Sequence, residues 1–212
     1  GVSPVHADAD IDYFSPHAHA DAIAGSGAAV CSYSGWLDAA YQHAAIKRFR
    51  TLPNAGSRLV LGPWDHGGVH CISPFSPSAS TAFDQDGELL RFFDRTLRGR
   101  DDTAGDDPPV RYFTMGEERW KSADAWPPPH VRPQTWHLSD ARTLSREPPR
   151  DRAADEYRID DAVGTGPRSR WVSLLGLLPP VGYGDRAALS RRLLVYRSAP
   201  LEAPMEVTGH PI

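Results

Sequence analysis

An aspartate and a histidine, one strand–helix–strand unit apart, have the residue types and spacing that suit acid–base chemistry. Asp38 stands in "SGWLDAA" and His66 in "LVLGPWDHGG". A carboxylate bonded to one imidazole nitrogen fixes the tautomer and stabilises the imidazolium, while the other nitrogen takes a proton from a nucleophile. The sequence therefore offers a candidate acid–base pair. A helix cap at Asp38 and a simple turn residue at His66 are the alternatives.

Alternating strands and helices are predicted around this pair. Residues 28–33 and 58–61 are short apolar runs typical of buried strands, and residues 38–49 have the apolar spacing of a helix. Asp38 and His66 each follow the carboxyl end of one strand. Because parallel strands end at one edge of a sheet, we expect both side chains at the same rim of an α/β sheet.

A second helix is predicted at residues 80–99. We expect Ser80 or Thr81 to cap its start and Gly99 to cap its end. Its expected apolar face consists of Phe83, Leu90, Phe93 and Leu97.

After this helix the composition changes. An acidic segment with glycine and proline is followed by strand candidates that turn residues separate, which is typical of an all-β sandwich. The candidates are residues 110–115, 135–139, 156–160 and 192–198. We therefore predict two domains, residues 1–104 and residues 105–212.

The residues around the pair resemble the CocE/NonD hydrolases, the family of cocaine esterase, α-amino-acid ester hydrolases and X-Pro dipeptidyl-peptidases. Gly35, Trp36 and Asp38 match that family's G-W-Y-D segment, with Leu37 in place of the usual aromatic residue. Residues 62–66, "GPWDH", match its G-P-W-x-H segment. The resemblance extends over nearly the whole chain, including the strand-rich second half.

This resemblance implies the C-terminal part of an α/β-hydrolase domain followed by an incomplete jelly-roll domain of the galactose-binding type. It implies a Ser-His-Asp hydrolase of acyl ester or amide bonds, in which Asp38 orients His66 and His66 moves the proton. X-Pro dipeptidyl-peptidase activity is one alternative. A non-catalytic jelly-roll binding module and a degenerate enzyme are two others.

Two tryptophans stand beside the candidate catalytic residues. We predict that Trp36 and Trp64 bind substrate by shaping an acyl or leaving-group pocket. Packing of the rim, with the indole N–H bonded to backbone, is the alternative. Asp65, next to His66, is interpreted as a loop cap rather than a second catalytic acid.

No serine of the chain has glycine at both the second position before and the second position after it. The nucleophile of an α/β-hydrolase stands on such a Gly-x-Ser-x-Gly elbow, before the acid. We therefore expect this chain to be a fragment of a serine hydrolase that lacks the nucleophile. We also expect the fragment to end within the jelly roll and to be inactive alone.

Charge and composition argue against several other classes. A net charge of −4 does not suit a nucleic-acid-binding protein, and no apolar run approaches a membrane span. Two cysteines form neither a disulfide framework nor a zinc pattern, and the H-x-H pair His17/His19 lacks further ligands. We expect no metal and no organic cofactor.

The expected partner is a small ester or amide, or a short peptide. Association into a homo-oligomer through the exposed edge of the first strand is left open. The cytoplasm is favoured as the compartment, with a signal peptide upstream of Gly1 also left open.

Overall fold

A mixed four-stranded sheet carries the acid–histidine pair. Its strands are β1 (Cys31–Gly35), β2 (Arg58–Gly62), β3 (Val110–Thr114) and β4 (Arg119–Ala123), which lie side by side in that order. β1, β2 and β3 run parallel, and β4 runs antiparallel to β3. The computed structural model describes Val5, Asp10 and residues 12–38, 41–52, 54–76, 83–100, 107–164 and 186–208.

The predicted parallel pairing of the first two strands is confirmed. Tyr33 pairs with Val60 and Gly35 with Gly62, so both strands end at the same level. All five residues of β2 are buried, as expected for a strand covered on both faces. β1 begins at Cys31 rather than at residue 28.

Two helices flank these strands. After a 3₁₀ turn (Pro16–His19), α1 spans Ala20–Gly25 and precedes β1. α2 spans Tyr41–Thr51 and connects β1 to β2, and it buries Ala45 and Ile46 against the sheet. Leu59, Leu61, Val110, Tyr112, Ala123 and Trp126 complete this core.

The third helix, α3, spans Gln85–Arg98, and its start differs from the prediction. Its N-cap is Asp84, whose carboxylate accepts a hydrogen bond from the Gly87 N–H at 3.0 Å. The prediction of Ser80 or Thr81 as N-cap is therefore wrong, and both residues lie outside the described ones. Gly99 is the C-cap in the left-handed conformation, as predicted.

The predicted apolar face of α3 is also wrong. Leu90, Phe93 and Leu97 are exposed, whereas Glu88 and Phe92 are buried. The Glu88 side chain faces the sheet, where its carboxylate lies 3.2 Å from the Arg111 guanidinium on β3, and it also pairs at 2.7 Å with Arg91 of the same helix. An apolar stripe in the sequence does not reveal such a partner.

The chain beyond β4 matches the strand predictions only in part. β5 (His137–Ser139) and β6 (Thr143–Ser145) form a two-stranded antiparallel sheet with a 3₁₀ turn between them. Residues 156–160 form no strand, since residues 156–159 are exposed and none of the described residues pairs with the segment in a ladder. Residues 192–198 contribute one bridge, from Arg197 to Thr143. A one-turn helix, α4, spans Ala187–Ser190. The jelly roll stays a prediction.

The four-stranded sheet crosses the predicted domain boundary. β3 and β4 follow residue 105, yet β3 pairs with β2. Asp107 forms ion pairs with both of these strands: its carboxylate lies 3.0 Å from the Arg58 guanidinium on β2 and 3.0 Å from the Arg111 guanidinium on β3. The sheet therefore joins strands from both sides of the predicted boundary, and the division into 1–104 and 105–212 remains a prediction. Within the described ranges, no helix is both long and apolar enough to cross a membrane.

We predict that Arg58→Met destabilises the chain by about 2 kcal/mol in urea unfolding, because it leaves the Asp107 carboxylate without its buried partner. The Arg58 side chain is 7% exposed. Arg98→Met is the matched control: the Arg98–Asp94 pair is equally short at 2.9 Å, but the Arg98 side chain is 61% exposed. A loss below about 0.5 kcal/mol is expected for the control. Equal losses would contradict a structural role for the Arg58–Asp107 pair.

Candidate active site

Asp38 and His66 meet beyond the carboxyl ends of β1 and β2. Asp38 Oδ1 and His66 Nδ1 are 2.9 Å apart, the length of a charge-assisted hydrogen bond. The Asp38 side chain is 9% exposed and the His66 side chain 32% exposed. Because a carboxylate only accepts, Nδ1 carries the proton of the neutral ring and Nε2 is its basic nitrogen.

Backbone hydrogen bonds connect the turn that contains Asp38 to the loop that contains His66. The Trp36 N–H donates to the Gly62 carbonyl at 2.9 Å, and the Leu37 N–H donates to the Trp64 carbonyl at 3.2 Å. The Asp38 N–H closes its own turn onto the Gly35 carbonyl at 3.1 Å. The separation of Asp38 and His66 therefore follows from the main chain and not only from their side chains.

Two glycines allow Trp64 to lie across the ends of both strands. A Cβ at Gly35 would stand 1.9 Å from the Trp64 carbonyl oxygen, and a Cβ at Gly62 would stand 2.2 Å from the indole ring. On the same side, the Tyr33 ring stacks on Trp64 with the ring centroids 4.8 Å apart. The glycines of the "SGW" and "GPW" segments are thus required by packing.

Both tryptophans that were predicted to bind substrate lie next to the pair and pack within the protein. The Trp36 indole N–H donates to the Phe113 carbonyl of β3 at 2.7 Å, which is the geometry of the packing alternative. Trp64 is 1% exposed. A ring this deeply buried offers a ligand almost no surface, so the geometry does not favour substrate contact by Trp64. Trp36 is half-buried, and substrate contact by either tryptophan stays a prediction.

Asp65 closes the turn that holds His66. Its buried carboxylate accepts a hydrogen bond from the Gly67 N–H at 3.0 Å, which is the loop-cap role expected from the sequence. Burial raises the pKa of the Asp65 carboxyl above its ordinary value, because the charged form is poorly solvated there. Asp38, not Asp65, is the acid on His66 Nδ1.

Sequence reasoning missed two residues, Tyr41 and Glu118, that contact His66 and the segment after it, respectively. The Tyr41 ring lies beside the imidazole, with centroids 5.1 Å apart, and its position shortly after Asp38 was an available signal. Glu118 accepts hydrogen bonds from the Ser73 hydroxyl at 2.8 Å and from the Gly116 N–H at 2.9 Å. That contact joins the segment after His66 to the β3–β4 hairpin, and no local pattern could have revealed it.

Metal-ligating side chains do not cluster in the described part of the chain. Among those residues, no group of three or more histidine, cysteine, aspartate or glutamate side chains could hold a metal ion. His17 is exposed, and His19 Nε2 lies 3.2 Å from the Tyr13 carbonyl oxygen.

Two family models match this chain on either side of α3. Residues 4–68, which include Asp38 and His66, match the X-Pro dipeptidyl-peptidase (S15 family). Residues 103–212 match the X-Pro dipeptidyl-peptidase C-terminal non-catalytic domain.

Similar proteins include esterases and a peptidase. The chain is 51% identical over 94% of its length to a candidate serine esterase of Mycobacterium bovis, and covers 32% of that protein. It is 29% identical over 83% of its length to the cocaine esterase of a Rhodococcus species, and covers 33% of it. An aminopeptidase structure from a marine sediment thaumarchaeote aligns with 67% of this chain and 25% of its own, at 24% identity and a TM-score of 0.50. The chain thus spans about a third of the length of these curated relatives.

We predict that Gly35→Ala destabilises the chain by about 3 kcal/mol in urea unfolding and disrupts the bond between Asp38 and His66. The added methyl would collide with a backbone carbonyl, which cannot move aside without displacing the histidine loop.

Gly25→Ala at the end of α1 is the matched control for this variant. A Cβ there meets nothing within 4 Å, so the expected change in stability is neutral or favourable by about 0.5 kcal/mol. If Gly35→Ala behaved like Gly25→Ala, the close packing of β1 on the Trp64 loop would be refuted.

Proposed function

We propose that this chain, which belongs to the X-Pro dipeptidyl-peptidase (S15) family of CocE/NonD hydrolases, carries the acid and the histidine of a Ser-His-Asp hydrolase. The observation that carries the proposal is the 2.9 Å hydrogen bond between Asp38 and His66. Both residues lie within the segment that matches the S15 peptidase, and the other matched segment is described as non-catalytic.

In the proposed reaction, His66 Nε2 removes the proton of a serine hydroxyl while its oxygen attacks the carbonyl carbon. In this addition the π electrons of the carbonyl group move to its oxygen. They then re-form the double bond as the leaving group departs with the proton that His66 donates. Water then repeats the sequence, releasing the acid and the free serine. The Asp38 carboxylate stabilises the imidazolium in each half-reaction, and its burial strengthens that attraction.

We propose acyl esters or amides as the substrates. The similarity to a candidate serine esterase and to a cocaine esterase supports this class. Removal of X-Pro dipeptides is the second candidate, because both matching family models are those of X-Pro dipeptidyl-peptidases. The pair of acid and histidine argues against a purely non-catalytic binding module.

We further propose that the strand-rich second half is part of a jelly-roll domain that packs against the hydrolase. Its match to the C-terminal non-catalytic domain of the family supports this assignment. The sheet formed by β2, β3 and β4 is the described contact between the two halves.

The chain alone is predicted not to hydrolyse esters, because none of its serines stands on a Gly-x-Ser-x-Gly elbow. Purified chain 1–212 and its His66→Ala variant should release p-nitrophenol from short acyl esters equally slowly. Turnover by the chain that disappears in His66→Ala would show that it supplies its own nucleophile.

The site is tested directly in a hybrid in which this chain replaces the matching third of the Mycobacterium bovis candidate esterase. Asp38→Asn should lower kcat for a p-nitrophenyl ester by roughly 10³–10⁴-fold, because the amide does not hold the neutral imidazole in the required tautomer and does not stabilise the imidazolium.

Asp65→Asn is the matched control in the hybrid: it is also a buried acid beside His66, but it bonds to Gly67. Its kcat should change by less than about 5-fold, since the amide oxygen still accepts that bond. A larger loss at Asp65 than at Asp38 would reject the assigned acid. Faster cleavage of an X-Pro anilide than of the ester would favour the second candidate activity.

A further inference from the structure

The histidine loop, residues 63–72, is closed on itself and linked to the turn that carries the acid. The Ile72 N–H donates to the Pro63 carbonyl at 2.8 Å, which brings the two ends of the loop together. Between these ends, the Trp64 carbonyl accepts the Leu37 N–H at 3.2 Å, and this bond is the link to the acid turn. The distance between acid and histidine therefore depends on the contacts that keep this loop in place.

An aromatic ring of the β3–β4 hairpin packs on the histidine loop. The Trp120 ring of β4 lies 5.6 Å from the Trp64 ring between centroids, with the ring planes inclined by 43°. Phe113 of β3 meets the same Trp120 ring edge-on at 5.5 Å. Both separations are those of favourable aromatic pairs. The hairpin thus supports Trp64 in addition to the Tyr33 ring of β1, which stacks on it.

A hydrogen bond connects the same hairpin to the end of the histidine loop. The hydroxyl of Ser73, the residue after the loop, donates to the Glu118 carboxylate at 2.8 Å. Ser73 is buried, and a hydrogen bond to a charged acceptor is stronger than one between neutral groups. The Glu118 carboxylate also accepts the Gly116 N–H at 2.9 Å, so the hairpin turn itself sets the position of the acceptor.

Both hairpin contacts come from the segment that matches a non-catalytic domain. Trp120 and Glu118 lie within residues 103–212, which carry that match. His66 lies within residues 4–68, which match the S15 peptidase. The two matched segments therefore meet at the loop of the candidate catalytic histidine, and not only where β2 pairs with β3.

We propose that Trp120 and Glu118 are positioning residues, which keep the histidine loop at the distance from the acid turn that the bond between Asp38 and the histidine needs. Trp120 acts through the ring of Trp64, and Glu118 acts through the hydroxyl of Ser73. The inference rests on the proposed function for its effect on catalysis, whereas the contacts with the loop are independent of that function. Neither residue is assigned a contact with the substrate or with the imidazole.

The test measures hydrogen exchange of single backbone amides in chain 1–212 by NMR. The Leu37 N–H reports the bond between the acid turn and the histidine loop. The Arg58 N–H, which donates to the Val30 carbonyl at 2.9 Å, reports the opposite end of β1 and β2. Exchange of a hydrogen-bonded amide follows the equilibrium between its closed and open forms, so opening at one end is separable from unfolding of the whole chain.

The first pair of variants tests the aromatic contact. Trp120→Leu should raise the exchange rate of the Leu37 amide about 10-fold, because the ring contact with Trp64 is lost. Trp120→Phe keeps a ring at this position and should raise that rate less than about 3-fold. The exchange rate at Arg58 should change by a smaller factor than the rate at Leu37. If Trp120→Phe opened the loop as far as Trp120→Leu, the role of the aromatic ring would be overturned.

A third variant tests the hydrogen bond and stays informative if Trp120→Leu does not fold. Ser73→Ala removes one hydroxyl and leaves the hairpin turn intact. It should raise the exchange rate of the Leu37 amide about 3–10-fold, the factor expected for one lost hydrogen bond to a carboxylate. An unchanged rate at Leu37 would overturn the role of Glu118.

Ser57→Ala is the matched control for the hydrogen bond. Ser57 is also a buried serine that connects distant segments, because its hydroxyl accepts the Val30 N–H at 3.0 Å near the start of β1. This variant should accelerate exchange at Arg58 and leave Leu37 unchanged, the reverse of the test variants. Equal factors at both amides in the test variants would overturn the proposal, because they would report unfolding of the whole chain.

The hybrid enzyme separates this inference from the proposed function. There, Trp120→Leu should lower kcat about 10-fold with KM unchanged, because a displaced His66 slows proton transfer without weakening substrate binding. If His66→Ala leaves the hybrid active, the proposed function fails, while the exchange rates still decide what holds the loop. If His66 is essential and the test variants do not alter exchange at Leu37, only the positioning role fails.

Discussion

The parallel pairing of β1 with β2 is the constraint on which the rest of the site depends. In its register Gly35 lies opposite Gly62, so the two strands end at the same level of the sheet and a turn follows each of them there. The Trp64 carbonyl and indole then occupy the space that side chains on these glycines would fill. Asp38 and His66 are brought together by this main-chain geometry, and their own hydrogen bond completes it.

Much of this region could be predicted from the sequence because its signals are local. The apolar run of β2, the breakers that follow it and the left-handed glycine after α3 each act through neighbouring residues. The approach of Asp38 to His66 was also predictable, because parallel strands must end at one rim. The resemblance to a known family added the interpretation of the two side chains as the acid and the histidine of a hydrolase.

The predictions that failed depend on contacts between distant residues. The face that α3 turns to the sheet carries Glu88, which pairs with Arg111 on a strand that comes later in the chain. β4 is a polar segment that becomes a strand only because β3 offers it a partner. Residues 156–160 show the converse, since a favourable strand composition finds no ladder partner in the part of the chain that the structure describes. Substrate contact by Trp36 and Trp64 is not among these failures and stays a prediction, although the burial of Trp64 could not be read from its neighbours in sequence.

The continuity of the sheet from β2 to β4 has a consequence for how such a protein can be divided. A cut at residue 104 would strip two of the four strands from the sheet and leave the apolar edge of β2 without its hydrogen-bonding neighbour. The same cut would part Arg58 from Asp107. The second half therefore cannot be exchanged between relatives as a free-standing unit at that point, and a junction for grafting has to lie beyond Trp126, which still packs in the core of this sheet.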